Sequence, residues 1–237
     1  MSPPLVLVCH GSRDPAATSC AAEITAALRQ RLPGTEVRLG FVDIRRPTVT
    51  EAVTEALGEV AGAVVVPAFL AAGFHVRVDL PAQLAAAGTT LAPVRLAAAL
   101  GADPALVAVA AERLAAAGSR PGDTVVLAAA GSSDQRSLAD VRTAARLLGA
   151  MVGRPVRVGF LASAAPRVDA VVADLRAAGG RRVAVASWLL APGVFQRRLD
   201  DCGADVIARP LGAHPTLVDT VVARYTAVLA GRGSIAA

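Results

Sequence analysis

Two histidines and one aspartate in this 237-residue chain stand just past the ends of short apolar runs. His10 follows the first run, Asp43 ends the second, and His75 lies in the loop after the third. Imidazole nitrogens and carboxylate oxygens are common ligands of metal ions in proteins. If the fold brings the three run ends together, these residues predict a metal site made of His10, Asp43 and His75.

The elements that must position these residues are short strands that alternate with amphipathic helices. Helix starts are predicted at three places: Asp14-Pro15, the capping-box sequence Thr48–Glu51, and Asp103-Pro104. Such alternation favours parallel sheets, in which the carboxyl ends of the strands share one edge and ligands bind beyond it. The predicted strands are Leu5–Cys9, Glu36–Val42, Ala63–Pro67, Leu91–Arg95, Thr124–Ala130, Val156–Leu161, Arg182–Ser187 and Ala204–Ala208.

The same series of elements occurs twice in the chain. VCHGS at Val8–Ser12 matches AAAGS at Ala128–Ser132, and Gly40-Phe41 matches Gly159-Phe160 at nearly the same offset. We therefore predict an α/β chain of two similar lobes, each a parallel sheet of about four strands flanked by helices and related by internal duplication. The predicted domains are residues 1–118 and 119–237, with Ser119–Asp123 as the linker.

The second copy lacks the candidate ligands. In the alignment, the pairs are His10 with Ala130, Asp43 with Ala162, and His75 with Phe195. If the three polar residues were required by the sheet itself, both copies would be expected to keep something similar. The first lobe is therefore predicted to carry the metal site, and the second to be a degenerate repeat without ligands.

Composition excludes several classes of function. The chain has 24 arginines and no lysine, so a Walker-A phosphate loop, a Schiff-base lysine and a pyridoxal-phosphate anchor are excluded. No GxGxxG sequence occurs, which argues against dinucleotide binding. The net charge is +5, but there are only seven aromatic residues and no basic tract, so no nucleic-acid partner is expected. A small polyanionic ligand suits this charge better.

The sequence also bears on location. The cysteines Cys9, Cys20 and Cys202 form no CxxC pair, which favours a reducing cytoplasm. No stretch without a charged residue or histidine is longer than Val60–Phe74, which Pro67 interrupts and which is too short for a membrane span. No membrane partner and no signal peptide are expected.

Two other polar residues have simpler interpretations. Ser12 has no GxSxG elbow around it, so it is interpreted as a hydrogen-bonding residue of the loop. His214 precedes Pro215 at the start of the last helix, where a cap or loop role is expected. The string HGSR invites comparison with histidine phosphatases, but these carry arginine directly before the histidine, where Cys9 stands here.

The motifs resemble those of a known family. LVLVCHGSRDP at the N-terminus, GFHVRVDLP at Gly73–Pro81 and AAAGSSD at Ala128–Asp134 are similar to the two-domain sirohydrochlorin chelatases, which are ATP-independent class II enzymes. The resemblance covers nearly the whole chain. It implies that a divalent metal is inserted into sirohydrochlorin in a cleft between two similar lobes, with His10 and His75 as metal-binding and catalytic residues. Some members have glutamate in place of Asp43.

The implied chemistry fits the residues available. Imidazole and carboxylate suit Fe²⁺, Co²⁺ and Ni²⁺, and a histidine can accept a pyrrole proton. Sirohydrochlorin carries carboxylates that arginine can bind in bidentate fashion. No cofactor is expected beyond the substrate metal, and the expected partners are sirohydrochlorin and that metal. The predicted substrate-binding residues are Ser12, Arg13, Arg45, Arg46, Arg77, Ser132 and Arg197.

Three alternatives remain beside a chelatase that inserts Fe²⁺ to make sirohaem. One is a cobaltochelatase of cobalamin biosynthesis, which the ligand set does not distinguish from the iron enzyme. The second is a carrier that binds metal or tetrapyrrole without insertion. The third, weaker alternative is phosphoryl transfer with His10 as nucleophile.

Overall fold

A computed structural model describes residues 2–58, 62–86, 93–179, 182–232 and 234–235; for His75 and residues 234–235 it describes the backbone only. The chain divides into two compact units, residues 1–100 with 213–237, and residues 101–212. The prediction of two lobes, each a parallel sheet flanked by helices, is confirmed. Among the described residues, no helix combines the length and apolar character needed to cross a membrane.

The first unit is built on a sheet with strand order β2-β1-β3-β4-β9. Strands β1 to β4 are parallel, and the short β9 adds an antiparallel edge that the sequence analysis did not predict. Residues 91 and 92 of the predicted fourth strand lie outside the described residues. The elements are β1 (Leu5–Cys9), α1 (Pro15–Arg31), β2 (Val37–Phe41), α2 (Val49–Leu57), β3 (Ala63–Pro67), a π-helical turn (His75–Asp79), α3 (Leu80–Ala86), β4 (Val94–Ala97), α8 (Pro215–Leu229) and β9 (Ser234–Ile235).

The second unit repeats the four-stranded arrangement. Its sheet has the order β6-β5-β7-β8, and all of its pairs are parallel. The strands β5 and β7 are buried and largely apolar, because helices cover both faces of such sheets. The elements are α4 (Pro104–Ala116), β5 (Thr124–Ala129), α5 (Gln135–Val152), β6 (Val156–Phe160), α6 (Val168–Ala177), β7 (Val183–Trp188), α7 (Val194–Asp200) and β8 (Val206–Ile207).

The predicted boundary between residues 118 and 119 is wrong for the folded units. Helix α4 ends the first sequence repeat but packs against α5 and β7, and α8 ends the second repeat but packs against β3 and β4. Polar contacts hold each helix in place: Arg113 of α4 donates to the Leu211 carbonyl at 3.2 Å. In the first unit, the Tyr225 hydroxyl of α8 donates to the Pro3 carbonyl at 2.6 Å. The helix that ends each sequence repeat therefore belongs to the folded unit built mainly from the other repeat.

The predicted helix starts are confirmed. Asp14 caps α1 by accepting from the Ala16 amide at 3.0 Å, with Pro15 as the first helical residue. Thr48 and Glu51 form the reciprocal capping box of α2. These caps fix where the loops after β1 and β2 end and the helices begin.

Candidate metal and substrate site

The backbone holds His10 and Asp43 side by side. Past the ends of β1 and β2, the ladder continues: the Val42 amide donates to the Cys9 carbonyl at 3.0 Å, and the Asp43 amide donates to the His10 carbonyl at 2.9 Å. Both His10 and Asp43 are exposed. The carboxyl edge of the first sheet therefore presents an imidazole and a carboxylate from adjacent strands, as the alternation of elements predicts.

This pairing depends on Gly11. Its φ is +96°, and a Cβ at this position would lie 1.9 Å from the Asp43 carbonyl oxygen. No side chain can be accommodated at that distance, and the left-handed conformation also favours glycine. The glycine thus permits the close approach of the two loops that carry His10 and Asp43.

The orientation of the His10 ring indicates which nitrogen can act. Nδ1 lies 3.1 Å from the Gly11 carbonyl oxygen, which can only accept, so Nδ1 carries the proton in this hydrogen bond. In the neutral ring, Nε2 is then the unprotonated nitrogen, which is the one that can ligate a metal ion or accept a proton. Ligating histidines commonly donate their other nitrogen to a carbonyl in this way. The Phe69 ring lies 6.3 Å from the imidazole, centroid to centroid, and forms an apolar neighbour.

The neighbouring cysteine does not extend the donor set. Cys9 is buried at the end of β1, and burial raises the pKa of its thiol to about 12, with a smaller contribution from Cys20. The sulfur therefore stays protonated at neutral pH and is enclosed in the core. The chemistry of this edge is that of imidazole and carboxylate, without thiolate.

His75 lies in a different local structure from the one predicted. It is the first residue of the π-helical turn that leads into α3, and not part of an irregular loop. The amides of Val76 and Arg77 both donate to the Gly73 carbonyl at 3.1 Å and so close this turn. Strand β3 continues beside β1, because the Ala68 amide donates to the Val8 carbonyl at 2.8 Å. The chain thus leaves β3 at the same sheet edge as His10.

The structure describes the three predicted metal ligands to different extents. The structure brings His10 and Asp43 together at backbone level, while only the backbone of His75 is among the described positions. Within the described part of the chain, no group of three His, Cys, Asp or Glu side chains is close enough to hold a metal ion. The complete ligand set of His10, Asp43 and His75 stays a prediction.

Ser12 shapes the loop after β1. Its hydroxyl accepts from the Asp14 amide at 3.1 Å, directly before the cap of α1. The interpretation of Ser12 as a loop hydrogen-bonding residue is confirmed, and its predicted substrate contact stays a prediction. His214 is likewise confirmed as a cap, since its Nδ1 accepts from the Thr216 amide at 3.2 Å.

The predicted substrate arginines of the first unit differ in their surroundings. The Arg45 guanidinium donates to the Ser12 carbonyl at 2.5 Å and to the Arg13 carbonyl at 2.9 Å, so it ties down the loop that follows His10. Arg46 pairs with Glu51 at the start of α2. Arg77 is exposed and donates from Nε to the Ala72 carbonyl at 2.7 Å. Arg13 is exposed.

The structural role of Arg45 was not predicted from the sequence. A signal for it exists in the repeat: the aligned residue of the second copy is Ala164, so the arginine is confined to the copy with the histidines. Nor was the exposure of Ile44 predicted, which lies beside Asp43, is 54% exposed and has a φ of +59°.

The second unit repeats the loop geometry without the ligands. The Ala162 amide donates to the Ala130 carbonyl at 2.8 Å, and Gly131 has the same φ of +96° as Gly11. A Cβ on Gly131 would lie 1.9 Å from the Ala162 carbonyl oxygen. The Ser132 hydroxyl accepts from the Asp134 amide at 3.1 Å, as Ser12 accepts from Asp14.

The counterpart of the His75 segment is also preserved. The Arg197 amide donates to the Gly193 carbonyl at 3.0 Å, matching the Arg77 and Gly73 contact. Phe195 stands at the histidine position with 36% of its surface exposed, and the Arg198 guanidinium lies 5.5 Å from its ring centroid. Arg197 is exposed. This edge therefore offers an aromatic ring and two guanidinium groups.

Parts of this chain are similar in sequence to curated proteins. Curated relatives include the sirohydrochlorin cobaltochelatases of Methanococcoides burtonii, 35% identical over 78 residues, and of Methanopyrus kandleri, 40% identical over 81 residues. The matched segments span 60% and 57% of those proteins and about a third of this chain, 32% and 34%.

Solved structures share the fold over the full length. SirB from Bacillus subtilis with Fe³⁺ superposes with a TM-score of 0.86 at 22% identity and covers 99% of both chains. CbiX, described as the terminal enzyme for siroheme biosynthesis in denitrifying bacteria, superposes with a TM-score of 0.67 at 23% identity. It covers 94% of this chain and 98% of its own.

The family model named CbiX matches residues 4–117 and again residues 124–228. The two matches fall on the two sequence repeats and confirm the duplication. Since they cover most of the chain, the resemblance seen in the sequence motifs is confirmed at the level of the family: this chain belongs to the CbiX family.

Proposed function

We propose that this protein inserts a divalent metal ion into sirohydrochlorin at the carboxyl edge of its first sheet. The observation that carries the proposal is the pairing of His10 and Asp43 on adjacent strand ends, both exposed, with a Gly11 that allows no side chain between them. An exposed imidazole and carboxylate can take up a first-row ion and release it again, which insertion requires.

The insertion reaction releases two protons. The metal ion enters the macrocycle as the two pyrrole N–H protons leave, so charge balances without an external oxidant or reductant. The Nε2 atom of His10 is suited to accept one of them, because Nδ1 is already committed as a donor to the Gly11 carbonyl. We assign His75 to the same metal and proton chemistry on the basis of its sequence position, with Asp43 as the carboxylate ligand.

Exposed arginines supply the second part of the proposal. Arg13, Arg77 and Arg197 are exposed and suited to the carboxylates of the substrate. Arg45 is assigned to the loop instead of the substrate, because its guanidinium already donates to two backbone carbonyls. Arg46 is a weaker substrate candidate, since Glu51 neutralises it in part.

The metal has two candidates. Fe²⁺, giving sirohaem, is the ion predicted from the sequence. Co²⁺ is supported by the similar curated proteins, whose names describe them as sirohydrochlorin cobaltochelatases. Imidazole and carboxylate accept both ions, so the donor set does not separate them.

Parallel anaerobic assays test the proposal. Purified protein is mixed with sirohydrochlorin and Fe²⁺, Co²⁺ or Ni²⁺, and the absorbance change of the macrocycle is followed over many turnovers. We expect catalysed insertion of Fe²⁺ or Co²⁺ well above the rate without protein. Binding of one equivalent without turnover would indicate a carrier, and no binding of sirohydrochlorin would reject the proposal. The His214→Asn variant is the matched histidine control, because asparagine can also cap a helix and His214 lies at α8.

A further inference from the structure

Ile44, the residue after Asp43, combines two unfavourable features. Its φ of +59° lies in the left-handed region, where a β-branched residue is an outlier. Its side chain is also 54% exposed, so the strain is not offset by burial in the core. Nothing in the packing of the sheet therefore accounts for isoleucine at this position.

The backbone conformation itself belongs to the fold. The Arg45 amide donates to the Asp43 carbonyl at 2.7 Å, which closes a three-residue turn around Ile44. The aligned residue of the second copy, Ser163, has nearly the same φ of +51° and is also exposed. Both copies thus require the left-handed residue, but only the copy with His10 and Asp43 has a large apolar side chain there.

Exposed apolar side chains also lie near the other predicted ligand, His75, and the second copy has two at the aligned positions, Val194 and Phe195. Of the seven large apolar residues that are exposed in the described part of the chain, three lie within three positions of a predicted ligand. These are Ile44 beside Asp43, and Phe74 and Val78 on either side of His75. Exposed apolar groups next to a polar site favour a ligand that has both apolar and charged parts.

We infer that Ile44 is a substrate contact that packs on the apolar face of the tetrapyrrole beside the Asp43 carboxylate and determines affinity for the macrocycle. The inference rests on the proposed function, because the flat conjugated ring is the ligand that fits an apolar group next to a metal-binding carboxylate. Isoleucine is then retained in this unfavourable conformation because its side chain contributes to binding. Functional sites often contain such residues, which lower stability and support function.

Two properties of three variants test this inference. Ile44→Asn removes the apolar contact and places in the turn a residue that tolerates left-handed φ. We expect its Tm to rise by about 2 °C and its Kd for sirohydrochlorin to rise about tenfold. Ile44→Leu keeps an apolar side chain, so its Kd should stay within about twofold of wild type. Ser163→Ile introduces the same strain into the second unit and should lower the Tm by about 2 °C.

The outcomes separate the inference from the proposed function. If wild type binds and Ile44→Asn binds equally well, the substrate contact is overturned while the chelatase proposal stands. An unchanged or lower Tm for Ile44→Asn overturns the argument from strain. If wild-type protein does not bind sirohydrochlorin, the proposed function fails, and the contact fails with it. Binding is measured by absorbance titration without metal, so that turnover does not enter the comparison.

Discussion

The carboxyl edges of the two sheets have the same backbone and different side chains. Gly11 and Gly131 share a φ of +96°, and each lies against the carbonyl of a residue just past the end of the neighbouring strand, Asp43 and Ala162 respectively. On that common frame, the first unit carries His10 and Asp43, whereas the second carries Ala130 and Ala162. The glycines are therefore requirements of the scaffold, and the polar residues are not. Positions where the residue type differs between the copies while the backbone is preserved therefore indicate functional residues better than the shared glycines do.

The comparison predicts one metal site per chain, and its complete loss is the largest effect we expect. Alanine has no donor atom and a phenylalanine ring offers only its face, so the second unit cannot ligate an ion in the equivalent way. Titration of the apo-protein with Co²⁺, followed by the visible ligand-field bands and the heat of binding, should give one site. The His10→Ala, His75→Ala double variant should give none. Two equivalent sites, or one that survives both substitutions, would place the metal elsewhere.

The single histidine variants separate the two candidate ligands. We expect His10→Ala and His75→Ala each to lower the rate of metal insertion at least ~100-fold, the usual cost of a lost proton acceptor or ligand. Stability should change little for His10→Ala, because the side chain is exposed. Turnover is measured with the favoured metal, and unfolding by urea is the control. Near-normal turnover in one variant would remove that histidine from the site.

The glycine variants test whether the two edges share a scaffold. Gly11→Ala and Gly131→Ala should each lower the free energy of unfolding by about 2 kcal/mol, because each Cβ meets a carbonyl oxygen and each φ is positive. Gly153→Ala is the control, since Gly153 has a φ of +68° but nothing lies within 4 Å of its Cβ position. Only the strain should remain there, about 1 kcal/mol. If Gly11 and Gly131 differ strongly in urea unfolding, the two edges are not equivalent frames.

Much of the fold follows from local sequence signals. Asp14-Pro15 and Thr48 start their helices as predicted, and Leu5–Cys9 is a strand over its whole predicted length. Capping and short apolar runs depend on neighbours in the chain, so sequence patterns describe them well. The partner of a helix is a different matter. Helices α4 and α8 are both apolar on one face, and which sheet each covers depends on distant contacts that periodicity does not record.

The site divides in the same way. That His10 and Asp43 share an edge follows from the order of strands and helices, and the backbone pairing confirms it. The roles of Arg45 and Ile44 do not follow from residue type. A guanidinium in a loop suggests a carboxylate ligand, but here it donates to the carbonyls of Ser12 and Arg13. The positive φ of Ile44 is a property of the backbone, and no pattern of apolar residues in the sequence predicts it.

The smallest expected effect concerns the helices that follow the second strand of each copy. Helix α2 has the Thr48 and Glu51 capping box, whereas the aligned cap of α6 is Arg167, which makes no side-chain cap bond. The Thr48 amide donates to the Glu51 carboxylate at 2.8 Å and lowers the pKa of Glu51, with a further contribution from Arg46. The ionised form is thus favoured in the folded state.

A carboxyl group with a lowered pKa stabilises the fold above its unfolded pKa of about 4.3, and this contribution is lost as the pH falls through the folded pKa. We therefore expect wild type to be slightly more stable than Glu51→Gln at pH 7, and the difference to decrease as the pH falls below about 4.3 and through the folded pKa. Glutamine keeps a side-chain acceptor for the capping box, so the comparison isolates the charge. The measurement is urea unfolding of wild type and Glu51→Gln at a series of pH values from 7 downward. A difference that persists at low pH would show that Glu51 acts through packing or hydrogen-bond geometry, and not through its charge.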